Sequence, residues 1–162
     1  MIEFNHTRRA TESDWPIVRA LRLRGLAEDP LSFGSRHDEE VASSEDRWRS
    51  WIAGNAFFIG SREGRDVGLI RTQRLDADTF GVYSLWVAAE ARRLGMATAL
   101  LGAAEAFAAE SGAKAVELSV VEAAEAAQTL YEKAGYRRIG SEPARQPGLV
   151  KLLLRKDLFA AR

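Results

Sequence analysis

The sequence predicts an α/β (α+β) domain, a mixed sheet with helices on both faces. Three observations carry that expectation. Between residues 56 and 87, three short stretches rich in aromatic and β-branched residues are separated by turn residues, as in an antiparallel meander. From Ala97 to Ala108 the apolar period lengthens to that of a helix. Directly after it, Val116, Leu118 and Val120 alternate again. Strand, helix and strand then form a crossover unit, whose two strands run parallel.

The elements follow in order. A first strand lies within Glu3–Arg9. Thr11 or Ser13 caps a helix running to about Glu28, with Asp14 suiting the positive end of its dipole and Pro16 early enough to be tolerated. Asp29-Pro30 stops it, and Leu31–Val41 reads as loop around Phe33-Gly34. Ser43 and Asp46 resemble a capping box opening a short helix, whose Trp48, Trp51 and Ile52 face inward until Gly54-Asn55. Strands Ala56–Ser61 and Val67–Leu75 flank the turn Glu63–Asp66, and Asp76–Asp78 leads into Phe80–Val87. In that third strand Val82, Ser84 and Trp86 share one face, and Tyr83, Leu85 and Val87 the other. Ala97, Leu100, Leu101, Ala104, Phe107 and Ala108 form the apolar face of a helix that ends at Ser111-Gly112. Ala123–Ala134 is helical, with Gly135 at its exit. Tyr136–Gly140 and Leu149–Arg155 are strands joined by a loop holding Pro143 and Pro147.

Composition narrows the function classes. The 162 residues, 46% hydrophobic and 28% charged, fit one domain over 1–162 with a core that needs no staples. There are no cysteines, which excludes disulfides, zinc–thiolate sites and a cysteine nucleophile. The 23 basic and 23 acidic residues cancel, so a nucleic-acid footprint is missing. Arg19–Arg24 (RALRLR), beside Glu28 and Asp29, reads as a solvated helix face. No apolar run approaches the roughly 20 residues of a membrane helix, and MIEFNHTRRA lacks the apolar core of a signal peptide. A cytoplasmic protein with neither nucleic acid nor membrane as partner is expected. Adjacent loop positions rarely converge on an ion, so His37-Asp38-Glu39-Glu40 reads as a solvated loop, and no metal site is expected.

One stretch carries chemistry. ARRLGMATALL, Ala91 to Leu101, changes from cationic turn to buried helix at a glycine. A helix N-terminus exposes about four N–H groups and carries roughly half a positive charge. Gly95 lets ligand oxygens approach the backbone, Ala97 is nearly as small, and Arg92 and Arg93 can add charge-assisted hydrogen bonds. A pyrophosphate suits such a site. The alternative is a plain helix start with two solvated arginines.

The segment LWVAAEARRLGMATALL, Leu85 to Leu101, resembles the acyl-coenzyme A loop of the GNAT superfamily of N-acetyltransferases, Arg/Gln-x-x-Gly-x-Gly/Ala, through Arg92, Gly95 and Ala97. LYEKAGYR, Leu130 to Arg137, resembles that family's second characteristic segment, in the expected order with one strand between. The N-terminal DPLSFGSRHDEEVASSEDRW also looks like many members, and the resemblance covers nearly the whole chain. It implies a mostly antiparallel sheet of about seven strands, splayed open at the cofactor cleft. It implies acetyl-CoA (coenzyme A) as cofactor, with the pyrophosphate on the loop from Arg92 through Arg93, Leu94, Gly95 and Met96 to Ala97 and Thr98. The pantetheine arm would run beside Leu85, Trp86 and Val87 and past Ala124 and Ala127. An amine, from a small molecule or a protein, attacks the thioester directly. Many relatives pair through their last strands, so a homodimer stays open.

Under that resemblance Tyr131 is the catalytic candidate, a phenol protonated at neutral pH and able to serve the departing sulfur. Ala124, Ala127 and Tyr131 share one helix face. The competing reading is a tyrosine that only packs. Relatives often carry an asparagine where this chain has Ala124, so Glu125 or Gln128 would have to supply that polar contact. Phe33, Tyr83 and Ser84 are candidates for the acceptor side, Phe33 equally for a core plug. Tyr83 and Ser84 are the polar side chains between Phe80 and Val87, and Glu117 and Glu122 read as solvated, so no general base is assigned. No strong acidic groove for a polycationic acceptor is evident, though DADT and HDEE could form a local one. A non-catalytic acyl-CoA sensor is the rival function, and a domain for another nucleotide a third.

Overall fold

The computed structural model describes residues 4–30, 33 and 36–158. Within them the alternating segments become the strands β1 (His6–Arg9), β2 (Ala56–Arg62), β3 (Arg65–Arg74), β4 (Thr79–Val87), β5 (Ala115–Val121), β6 (Arg137–Pro143) and β7 (Val150–Asp157). The helices are α1 (Trp15–Glu28), α2 (His37–Val41), α3 (Glu45–Gly54), α4 (Met96–Glu110) and α5 (Glu125–Lys133). The strands form one open sheet in the order β1-β2-β3-β4-β5-β7-β6. All neighbours are antiparallel except β4 and β5, the two joined through α4. Residues 31, 32, 34 and 35 of the expected loop, and Glu3 of the expected first strand, lie outside the described residues.

The parallel pair decides the shape of the molecule. β4 and β5 are in register at Thr79↔Ala115, Phe80↔Val116 and Gly81↔Glu117, and no further pairs follow. From Val82 onward the β4 edge that faces β5 has no strand partner, so the sheet splays. Its main-chain donors and acceptors there need another partner.

A bulge adds to the divergence. Leu69 pairs with Trp86 but Arg71 pairs with Tyr83, leaving Ser84 and Leu85 opposite Ile70. Ser84 takes a left-handed φ of 59°. This corrects the strict alternation expected along β4. Tyr83 lies beneath the Arg71 guanidinium, and Trp86 packs at Gly25 of α1. Both side chains therefore lie on the α1 face, whereas Phe80 meets Phe107 of α4 edge-on at 5.8 Å on the other.

Helices cover both faces, α4 over β2, β3 and β4, and α1 over β3 and β4. The α4 contact is close because two strand positions lack side chains. A Cβ on Gly60 would come within 2.5 Å of the Met96 sulfur, and one on Gly68 within 2.8 Å of Leu100. Leu100, Leu101, Ala104 and Ala108 are buried there as their spacing predicts. The opposite face is aromatic, with Trp48 buried and Trp51 edge-on to Phe57 at 5.1 Å.

Three local expectations change. The loop 31–41 ends in the short helix α2, not in coil. The cap of α3 is Ser44, whose hydroxyl accepts from the Arg47 N–H at 3.2 Å, rather than Ser43. Arg22 is not on a solvated face: it is buried, and its Nη2 donates to Glu40 Oε2 at 2.9 Å. Glu40 is accordingly buried, not part of a solvated acidic loop. A charge can sit there only because its partner accompanies it. Among the described residues no helix is long and apolar enough to cross a membrane, and no group of three or more acidic or histidine side chains is arranged to hold a metal ion.

Candidate active site

Two cavities meet in the splay between β4 and β5. The larger, about 820 Å³, is bounded by the end of β4, the loop 91–95, the start of α4 and α5. The smaller, about 160 Å³, lies toward Phe33 and the β6–β7 connection. They share a wall made of Leu85, Val121, Ala124, Ala127 and Tyr131. Thus the Ala–Ala–Tyr face of α5, inferred from spacing alone, separates the two spaces.

The large cavity gathers most of the expected cofactor contacts. Leu85, Trp86 and Val87 from β4, Arg92 and Arg93, and Gly95 through Thr98 all line it, as do Ala124 and Ala127. Leu94 does not: its side chain is exposed, and its carbonyl accepts from Asn5 Nδ2 at 2.7 Å. That bond ties the loop to the residue preceding β1. Gly95 caps α4 with φ 84°, a left-handed geometry that glycine adopts without strain. Among the described residues no side chain caps this helix, which leaves the orphan N–H groups of its first turn beside the cavity. Arg92 anchors the loop by donating from Nε to the Val87 carbonyl at 3.0 Å.

These features fit a diphosphate ligand with an extended polar arm. An uncapped helix start and two arginines supply positive potential and donors. The unpaired β4 edge supplies a main-chain ladder. The indole N–H of Trp86 is buried with no hydrogen-bond partner among the described residues. Of the two candidates for replacing the missing asparagine, Gln128 is committed to the Glu122 carbonyl. Glu125 lines the cavity.

Tyr131 is 7% exposed and lies edge-on to Tyr136 at 5.8 Å. Burial pushes its phenol up to about 12. Tyr136 is raised as well, by burial and then by the Glu105 carboxylate that accepts its hydroxyl at 3.1 Å. The Tyr131 phenol thus keeps its proton at every physiological pH.

The small cavity brings together the three acceptor-side candidates, Phe33, Tyr83 and Ser84. Phe33 also fills core space: it is 5% exposed, and a Cβ on Gly25 would clash with its ring at 2.6 Å. Residues with no sequence signal join them. Arg145 and Gln146 come from the β6–β7 connection, and Lys151 from β7. Behind Ser84, Arg22 Nη1 donates to its hydroxyl, tying the bulge to α1 and through Glu40 to α2. Behind Tyr83, the Arg71 guanidinium lies 4.3 Å from the ring centre. Arg71 is held low, at about 10, first by burial and then by Arg22. Among the described residues no carboxylate or histidine lines this cavity. Glu117 is bonded to Arg155 at 3.0 Å. The proposed acidic groove is not assembled: Asp78 pairs with Lys114 at 3.7 Å, Glu39 with Arg145 at 3.3 Å and Glu40 with Arg22.

Comparison with known proteins agrees with this architecture. The Brucella melitensis ribosomal-protein-alanine N-acetyltransferase superposes with a TM-score of 0.77 at 21% identity, covering 94% of this chain and 99% of that one. A GNAT-family acetyltransferase from Streptococcus pneumoniae gives 0.79 at 18% identity, covering 95% and 99%. A GNAT-family acetyltransferase from Elizabethkingia anophelis, solved with acetyl-CoA bound, gives 0.69 at 17% identity, covering 94% and 97%. At such identities the likeness establishes the fold. No curated protein matches the sequence. The model of the acetyltransferase (GNAT) family matches residues 21–136, which run from the second half of α1 through the splayed strands and the loop at Gly95 to Tyr131 and Tyr136. With most of the chain matched and the cleft in place, this protein belongs to the GNAT family of acetyltransferases.

Proposed function

We propose that the chain, as one domain, transfers an acetyl group from acetyl-CoA to a primary amine. The observation that carries this reading is the wall shared by the two cavities, with Tyr131 set into it. A donor in the large cavity and an acceptor in the small one would meet there without a covalent enzyme intermediate.

The chain's own residues have defined tasks. Met96, Ala97 and Thr98 offer main-chain N–H groups to the diphosphate, with Gly95 leaving the approach open and Arg92 and Arg93 adding charge. Leu85, Trp86 and Val87 hold the amide-bearing arm on the unpaired edge of β4. Ala124 and Ala127 leave room for it. Acetyl-CoA supplies the acyl group as a thioester, and the C–N bond to the amine forms as the C–S bond breaks. Tyr131 Oη holds the proton that the departing sulfur takes up, and regains one from water. Phe33, Tyr83 and Ser84 orient the acceptor. Among the described residues no carboxylate or imidazole lines the acceptor side, so the ammonium proton leaves to solvent before attack, and the acylated nitrogen then releases a second proton to water that balances the one Tyr131 regains. Orientation across the wall accounts for much of the acceleration.

Release of free thiol from acetyl-CoA, measured over a panel of primary amines, tests the reading. Amine-dependent release with the acetylated amine as product is expected. Tight acetyl-CoA binding with no release for any amine would favour the sensor instead.

A further inference from the structure

Resting on the acetyltransferase reading above, we propose that the acceptor is a small amine that itself bears an anionic group, a carboxylate or similar oxyanion, bound by the cations around the second cavity. The charge distribution there is one-sided. Lys151 and Arg145 line the cavity, while among the described residues no aspartate or glutamate does. Two more cations stand directly behind its polar wall, Arg71 against the Tyr83 ring and Arg22 on the Ser84 hydroxyl.

The carboxylates that accompany these cations do not cancel them within the cavity. Glu142 meets Lys151 at 2.9 Å and Glu39 meets Arg145 at 3.3 Å, each from outside the lining. Both pairs are substantially solvent-exposed. Exposed ion pairs hold weakly, so an incoming oxyanion can replace either carboxylate. Arg22 is matched by Glu40. Arg71 instead donates to the neutral amide oxygens of Asn55 at 3.0 Å and Gln73 at 3.2 Å, leaving its charge uncompensated by direct contact. A half-buried guanidinium of that kind favours an anion nearby and opposes a second ammonium.

Size and shape agree. At about 160 Å³ the cavity admits a small molecule rather than a folded partner. Phe33, Val82 and Val120 supply an apolar wall, so the ligand would combine an amine, an oxyanion and a short apolar part.

Matched acceptors test this directly. Thiol release is measured with free apolar amino acids, their carboxamides, and a diamine, on protein shown by calorimetry to bind acetyl-CoA. The free acid should exceed its carboxamide in kcat/KM by at least about tenfold, and the diamine should be poorer still. In the double variant Arg145→Gln, Lys151→Gln that advantage should collapse through KM, whereas Lys151→Arg should retain it. A carboxamide or diamine accepted as well as the acid would overturn the inference while leaving the transferase reading intact. So would a double variant that keeps the acid's advantage. No release with any amine, despite acetyl-CoA binding, would remove the transferase reading and this inference with it.

Discussion

Tyr131 stands where the two cavities join, and in the proposed reaction its burial suits it to serve the leaving sulfur. A phenol whose ionisation is pushed up to about 12 remains a proton source across the working range. Tyr131→Phe should therefore lower kcat by about 10²-fold or more while leaving acetyl-CoA affinity nearly unchanged. Steady-state kinetics beside calorimetry separates the two effects, and unchanged turnover would take Tyr131 out of the chemistry. The same ionisation sets a pH expectation. In the proposed reaction the neutral phenol is the active form, so raising pH costs nothing until about 12 is approached. Meanwhile the acceptor amine loses its proton. The acceptor kcat/KM should rise with pH and reach a plateau without an alkaline fall from this residue. A decline at mildly alkaline pH would show a different acid. The placement of Tyr131 and of the Arg92–Ala97 loop at the cleft was legible through the resemblance of LYEKAGYR and LWVAAEARRLGMATALL to family segments, not through their local spacing. Arg145 and Lys151 were not, since only the return of β7 beside β5, with the β6–β7 connection, brings them to the cleft.

Among the elements, α4 and the α1–α2 pair hold the cleft in shape. Helix α4 rests on strand positions without side chains, with Leu100 over Gly68. Gly68→Ala should lift the first turn of α4, destabilising the fold by about 1–3 kcal/mol in denaturant unfolding and weakening coenzyme A binding. Stability lost with affinity unchanged would mean that the helix seat does not set the anion site. Arg22 and Glu40 join α1 to α2 beneath the Ser84 bulge. Glu40→Gln leaves a buried guanidinium without its counter-charge and should cost about 3 kcal/mol. Unfolding within a few tenths of a kcal/mol of the parent would refute that account. Neither the pair nor the bulge could be read from sequence. Glu40 follows Arg22 by 18 positions, across a loop with no periodicity. The string TFGVYSLWV has neither glycine nor asparagine at the bulge itself, its one glycine lying three positions earlier at Gly81, so Ser84 gave no local sign of its φ of 59°. The strands and the long helices were legible because their apolar periods differ and turn residues separate them.

At the scale of the whole molecule, one departure from regularity organises function. β4 and β5 begin as a parallel pair and then part, which opens a cleft and leaves a strand edge unpaired within it. The uncapped helix that connects them places its positive end at the mouth of the same cleft. A crossover of this kind was predictable from the change of period between Val87 and Val116. The extent of the splay was not, because it depends on where pairing stops. The account rests on that helix start gripping a diphosphate, and calorimetry tests it most directly. Titrating acetyl-CoA into folded protein should give saturable one-site heat, abolished in Gly95→Glu, where a side chain must adopt φ 84° and brings negative charge to the anion site. Folded parent protein that gives no heat, or a folded Gly95→Glu protein that binds as the parent does, would contradict it.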